Sequence, residues 1–331
     1  MYSYFIRKQK TENRKQKTEN RKQTTDKSKQ PEMATETGDN EQLENQFPIR
    51  QLSARTQVNT VTLRAWERRY GLLKPQRTEK GHRLYSEKDV LTIQRILTLV
   101  SRGVPIGKVK TLLQGDVIVD EQVIETGNWQ HNVAELRAAI ELFSVSKVEH
   151  LIHNAFANYP ANVCSERLLQ PLFSELSLTD DDHGAAFGFA ESELVRYALI
   201  RSSAKISKNK GANTVVLIAG NQTPVWRLAL MTLELTDAKF TVHLLTQTFS
   251  VAAAVELAGK FEQACTVFYQ DGMWKELDQK LMANVLLKNE RVFLCGTAPV
   301  LANVYAEDRV FESLKSCVGG LLKRQAVLSD G

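Results

Sequence analysis

Apolar positions first fall into a helical rhythm at Phe47. In "FPIRQLSARTQ", Ile49, Leu52 and Ala54 recur at short helical spacing. "VNTVTLRAWERRYG" predicts a helix that starts after Asn59, a good N-cap, and stops at Gly71, a residue suited to the left-handed turn past a helix end. Within it Leu63, Trp66 and Tyr70 share one face, while Thr60, Arg64 and Arg68 lie along another. "LLKPQRTEKGHRLY" is too short and too broken for a helix, and its Pro and Glu-Lys-Gly tip predict a small hairpin. Ser86 with Asp89 predicts a capping-box start for a helix whose buried stripe is Val90, Ile93, Leu97 and Val100. "RGVPIGKVKTLLQ" adds a short helix with Ile106, Val109 and Leu113 inward.

Residues 115–128 carry little pattern and read as a linker. From 129 to 208 the chain reads as a bundle of amphipathic helices with no clear strand. The rhythm changes at 213. Short apolar runs "NTVVLIAG", "FTVHLL", "CTVFYQ" and "RVFLCGT" alternate with helical segments at 223–238, 250–263, 274–289 and 298–307. Strands alternating with helices predict βαβ units and a parallel, Rossmann-like sheet covered on both faces, filling 209–331. The expected fold is therefore multidomain: a mainly helical winged unit at 47–114, a helical bundle, and an α/β domain.

Ahead of these elements lies a segment of another kind. "RKQKTEN" occurs twice over residues 7–20, and a decayed copy, "RKQTTDK", follows at 21–27. With almost no apolar residues to bury, residues 1–46 are expected to be a disordered basic tail. Met33 offers a second candidate start beside Met1.

Charge sharpens the picture. The net +5 of the 331 residues is uneven. Residues 47–114 hold 14 basic and 4 acidic side chains, a surplus of +10, whereas 115–331 carry −7 and 1–46 carry +2. One short block thus bears the basic character, as expected when a single module meets a polyanion. Four scattered cysteines with no C-x-x-C argue against a disulfide framework or a zinc finger. No apolar run approaches the ~20 residues of a membrane helix. The start lacks a secretory h-region, so a cytoplasmic protein is expected.

The stretch from Thr62 to Ser86 sets five arginines among Trp66, Tyr70 and Tyr85. Two helices joined by a tight turn at Gln57–Val58, the second rich in arginine, describe a helix-turn-helix, and the hairpin after it a wing. Arg64 and Arg68 on the open face suit guanine edges or phosphates. Arg77, His82 and Arg83 on the wing suit neighbouring phosphates or a minor groove, and Tyr85 adds a hydroxyl-bearing ring. Trp66 and Tyr70, as a helical stripe, read as core rather than stacking platform, with Trp66 at most grazing the backbone.

These residues resemble the DNA-binding domain of the MerR family, which shows an arginine and an aromatic in its second helix, then "GLL-x-P-x-R" and a "YR-x-Y" element. Here they read "LRAWERRYGLLKPQR" and "HRLY". The resemblance spans Ile49 to Leu113 and is greatest to the MlrA-like and CarA/CarH-like branches. It implies a homodimer on double-stranded promoter DNA, acting on RNA polymerase indirectly. Carried over by position, Thr60, Val61 and Arg64 would face bases, while Trp66, Arg68, Arg77, Arg83 and Tyr85 would hold the backbone.

The C-terminal half resembles a cobalamin-binding module: a helical bundle before a five-stranded α/β domain. That module carries D/E-x-H-x-x-G after its first strand, with the histidine on cobalt. After "VVLIAG" this chain reads Asn221, Gln222, Thr223, Pro224, Val225, Trp226, and no H-x-x-G occurs anywhere. Asp181-x-His183 precedes the sheet and ends in Ala186. Glu191 and Ser192 stand where a Glu-His pair would cover the corrin. A degenerate domain without cobalamin is expected, with a cobalamin-dependent light-sensing repressor as the alternative and a corrinoid methyl-transfer module behind it. The strand ends near Gly220, Thr246 and Thr297 form the crevice where an open α/β sheet binds a ligand, lined by Asn221, Gln222 and Gln247. His150 and His153 lack an acid or thiol partner for a metal. With no nucleophile–base set, phosphate loop or paired carboxylates, no enzyme is expected.

Overall fold

A computed structural model of the chain describes residues 46–114, 127–179, 184–206, 213–221, 223–304, 306 and 308–329. The repeat-bearing tail, both candidate starts, most of the expected linker, Asp181, His183 and Gln222 lie outside the described residues.

The first elements are β1 (Phe47–Pro48), α1 (Ile49–Thr56), α2 (Thr60–Tyr70), β2 (Gln76–Arg77), β3 (Arg83–Tyr85), α3 (Glu87–Ser101) and α4 (Ile106–Leu113). The hairpin is present, and β1, absent from the sequence reading, completes a small antiparallel sheet in the order β1-β3-β2. Its register sets Phe47 opposite Tyr85 and Arg77 opposite Arg83. Among the described residues, helices follow without a strand: α5 (Gly127–Glu141), α6 (Val145–Asn158), α7 (Ala161–Cys164), a π-helical turn at Ser165–Leu169, α8 (Gln170–Thr179) and α9 (Ala185–Ile206).

The last part alternates as the apolar runs predict: β4 (Thr214–Gly220), α10 (Trp226–Asp237), β5 (Thr241–Phe249), α11 (Val251–Lys260), β6 (Cys265–Tyr269), α12 (Glu276–Lys288), β7 (Val292–Cys295), α13 (Thr297–Leu301), β8 (Val310–Phe311) and α14 (Leu314–Ser329). All neighbouring strands are parallel, in the order β5-β4-β6-β7-β8. Central β4 is apolar along its length because both faces are covered. Val215, Leu217 and Ala219 enter a core that runs on through α10 and the helical bundle to α2 and α3. Val216 and Ile218 enter a second core under α11 and α12.

One boundary departs from expectation. β5 continues past Leu245 to Phe249, with a register shift opposite Leu217–Ala219. Thr246 and Gln247 therefore stand exposed within an edge strand rather than at the mouth of a crevice. An edge strand pairs on one side only, and this one runs on as "TQTF" without the apolar pattern of a central strand.

A cavity of about 850 Å³ opens where the turn after α1 meets the end of α10, the start of α7 and helix α14, lined among others by Gln57, Asn162, Glu234, Asp237, Lys315 and Lys323. Burial pushes the Glu234 carboxyl up to about 7, and the nearby Glu166 and Asp237 carboxylates add to this against Ser165 and Lys315. A carboxyl that holds its proton more tightly when folded gives stability that is full below the unfolded pKa near 4.5 and is lost as pH rises through about 7. Glu234→Gln should flatten that decline and leave the protein about 2 kcal/mol more stable at pH 8 than the parent. Urea unfolding at pH 5 and pH 8 checks this; equal gains at both pH values would refute the assignment.

Candidate nucleic-acid interface

The reading helix is cut to length by its ends. Asn59 Oδ1 accepts the Val61 N–H at 2.9 Å, which starts α2. Gly71 at φ +59° ends it, donating its N–H to the Glu67 carbonyl at 3.2 Å, while Leu72 N–H reaches the Trp66 carbonyl at 3.1 Å. That left-handed turn favours glycine. Gln57, at φ 56°, reverses the chain between α1 and α2.

Between those ends α2 presents two faces. Val61 is 59% exposed, and Arg64 and Arg68 are exposed beside it. Among the described residues neither guanidinium has an ion-pair partner. Thr60 is half-buried at the start of this face. Thr62, Leu63 and Trp66 turn inward.

The wing stands next to this face. Its tip closes with Thr78 N–H on the His82 carbonyl at 2.9 Å and His82 N–H on Thr78 Oγ1 at 3.1 Å, leaving Lys80 and His82 exposed. Glu67, on α2, ties wing to helix. Arg83 Nε donates to its Oε2 at 2.6 Å, and Arg77 Nη2 lies 3.5 Å from its Oε1. This bond raises the Arg83 guanidinium above its ordinary value. Arg77 is otherwise exposed, so it keeps donors for a phosphate.

Two of the nine sequence candidates are corrected. Trp66 has no exposed surface, and its Nε1 donates to the Asn158 carbonyl at 2.8 Å. Tyr85 is 1% exposed, and burial, then the Glu67 carboxylate, pushes its hydroxyl up to about 12. Both rings are core, and neither reaches a duplex. The residues that sequence reasoning passed over are Glu67 and Asn158. Glu67 gave a faint signal as a lone acid among arginines, and Asn158 gave none.

The sheet carries a second candidate site. Its order places a topological switch between β4 and β6, the usual ligand crevice of such sheets. A Cβ on Gly220 would fall 2.5 Å from Gln270 Oε1, so the Gln270 side chain already lies across β4. Asn221 is exposed, and Thr297 is engaged: its N–H donates to Asp271 Oδ1 at 3.1 Å and its hydroxyl accepts the Gly272 N–H at 2.9 Å. Trp226 stacks on Phe173 of α8 with centroids 4.4 Å apart and planes 2° from parallel. Glu191 of α9 accepts the Trp226 N–H at 2.9 Å and so caps α10. Among the described residues no cluster of His, Cys, Asp or Glu could hold a metal ion, and His150 and His153 are exposed on α6. No described helix is long and apolar enough to cross a membrane.

A helix-turn-helix with a wing, an open cationic reading face and a separate parallel α/β sheet defines a DNA-binding transcription regulator. Residues 47–116 match the MerR HTH family of regulatory proteins, and the chain belongs to that family. It is 32% identical over 181 residues to the HTH-type transcriptional regulator MlrA of Salmonella typhimurium (strain LT2), covering 54% of this chain and 72% of that protein. The HTH-type transcriptional repressor CarH of Myxococcus xanthus is 28% identical over 130 residues, covering 36% of this chain and 42% of its own. A monomethylamine corrinoid protein of Methanosarcina barkeri superposes with a TM-score of 0.44 at 14% identity, covering 59% of this chain and 99% of that one.

Proposed function

We propose that the chain binds promoter DNA as a two-fold homodimer through Thr60, Val61, Arg64, Arg68, Arg77, His82 and Arg83, and that its C-terminal half regulates or dimerises it without cobalamin and without catalysis. The observation that carries this reading is the exposed Arg64–Arg68 face of α2 beside a basic wing. Arginine there offers bidentate donors to guanine, and the surrounding +10 block supplies the phosphate attraction. RNA polymerase would be affected through the promoter.

The fit of a corrin argues the rest. The loop after β4 supplies no histidine for cobalt. The Trp226 ring at the start of α10 stacks on Phe173 of α8, and Glu191 is engaged by the Trp226 N–H. Mixed with adenosylcobalamin and desalted, the protein should retain no corrin absorbance; retention would revive the cobalamin-dependent repressor.

The main test uses duplexes selected by the full chain from a random library. Arg64→Ala should weaken binding by about 1–3 kcal/mol and relax preference at one position of each half-site, whereas a pure phosphate contact would weaken all sequences alike. Parent affinity should fall by roughly three orders of magnitude between ~50 and ~200 mM salt, as phosphate neutralisation demands. A chain that selects no duplex at low salt would overturn the function.

A further inference from the structure

The reading helix is fastened at both ends to the C-terminal half. At its start, Asn59 Nδ2 donates to Asp237 Oδ1 at 2.9 Å, at the end of α10. At its finish, three side chains converge on Asn158, the last residue of α6. Trp66 Nε1 meets the Asn158 carbonyl at 2.8 Å, Tyr70 Oη meets Asn158 Oδ1 at 3.0 Å, and Arg69 Nη1 meets the same oxygen at 3.2 Å. The Asn158 amide is held for this task, because its Nδ2 donates to the Asn154 carbonyl at 2.9 Å.

The next residue continues the seat. Tyr159 Oη accepts the Ile106 N–H of α4 at 3.4 Å, and its ring packs on Trp129, with centroids 4.7 Å apart. Trp129 Nε1 in turn donates to the Val100 carbonyl of α3 at 3.2 Å. Trp66, Arg69 and Tyr70 lie on the side of α2 roughly opposite Val61, Arg64 and Arg68. The contacts therefore leave the reading face open while they fix its rotation and tilt.

We infer that Asn158 is a positioning residue for DNA reading: it sets the angle at which α2 meets a half-site, and so which half-site separation a dimer accepts. This rests on the two-fold DNA reading proposed above. A helix whose far end is seated on Asn158, some 90 residues away in sequence, cannot adjust independently to a displaced half-site.

The test compares a library-selected duplex with the same duplex bearing one extra base pair between its half-sites. The parent should prefer the first. Asn158→Leu removes the side-chain acceptor of Tyr70 and Arg69, while the backbone carbonyl that takes Trp66 remains, and should shrink that preference about tenfold, the scale of ordinary inter-site coupling. The dependence of log affinity on log salt should stay unchanged, because Arg64, Arg68 and Arg77 keep their places. Asn158→Asp retains an acceptor and should restore the preference. Circular dichroism melting confirms that each variant is folded. Should Asn158→Leu fail to fold, Tyr70→Phe deletes one of the donors and should shrink the preference to a smaller extent. Variants that melt earlier but keep the parent spacing preference would overturn the inference and leave DNA binding standing. A parent with no spacing preference would overturn the two-fold reading, and this inference with it.

Discussion

Trp66→Ala is expected to destabilise the protein by about 3–5 kcal/mol, the range for deleting a buried indole. The ring has no exposed surface and lies in the core that joins α2 to the helical bundle. Its Nε1 also satisfies the carbonyl of Asn158 at the end of α6, where helical carbonyls lack partners of their own. Trp66→Phe separates the two contributions. It keeps most of the ring and should lose nearer 1 kcal/mol for the hydrogen bond. Urea unfolding measures both. If Trp66 instead held phosphate, either variant would leave stability unchanged and weaken binding to all duplexes alike.

Much of this architecture is legible in the chain because local signals decide it. Asn59 and Gly71 bound α2 as their cap chemistry predicts, and Ser86 N–H reaches Asp89 Oδ2 at 2.8 Å to open α3. The runs beginning at Thr214, Thr241, Cys265 and Val292 become strands because a parallel sheet buried on both faces demands continuous apolar side chains. What could not be read depends on residues far apart. Periodicity puts Trp66 inward, but nothing within α2 says that its N–H meets a carbonyl 92 residues on. Five arginines in one stretch suggest five free cations, yet Glu67 among them engages Arg83 and lies near Arg77. β8, two residues long, is too short for any pattern, and the polar continuation of β5 hides an edge strand.

The same tertiary logic explains why the opposite end of α2 should be as sensitive as Trp66. Asp237→Ala is expected to cost about 3–5 kcal/mol, because it leaves a buried cation without its anion. Arg201 Nη2 lies 2.8 and 2.9 Å from the two Asp237 oxygens, Arg201 Nη1 donates to Tyr197 Oη at 3.1 Å, and the guanidinium packs over the Phe156 ring. Burial works against that charge, and Asp237 with Tyr197 more than offsets it, so the group is raised above its ordinary value. Removing the carboxylate strands the cation and also releases Asn59, the cap of the reading helix. An apolar pair, Asp237→Leu with Arg201→Met, removes both charges and should recover most of the stability, giving a coupling of about 2 kcal/mol in a double-mutant cycle. Because Asn59 stays detached in that double variant, its stability should return while the spacing preference on selected duplexes does not. A double variant as unstable as Asp237→Ala would mean that packing, not the stranded charge, sets the loss.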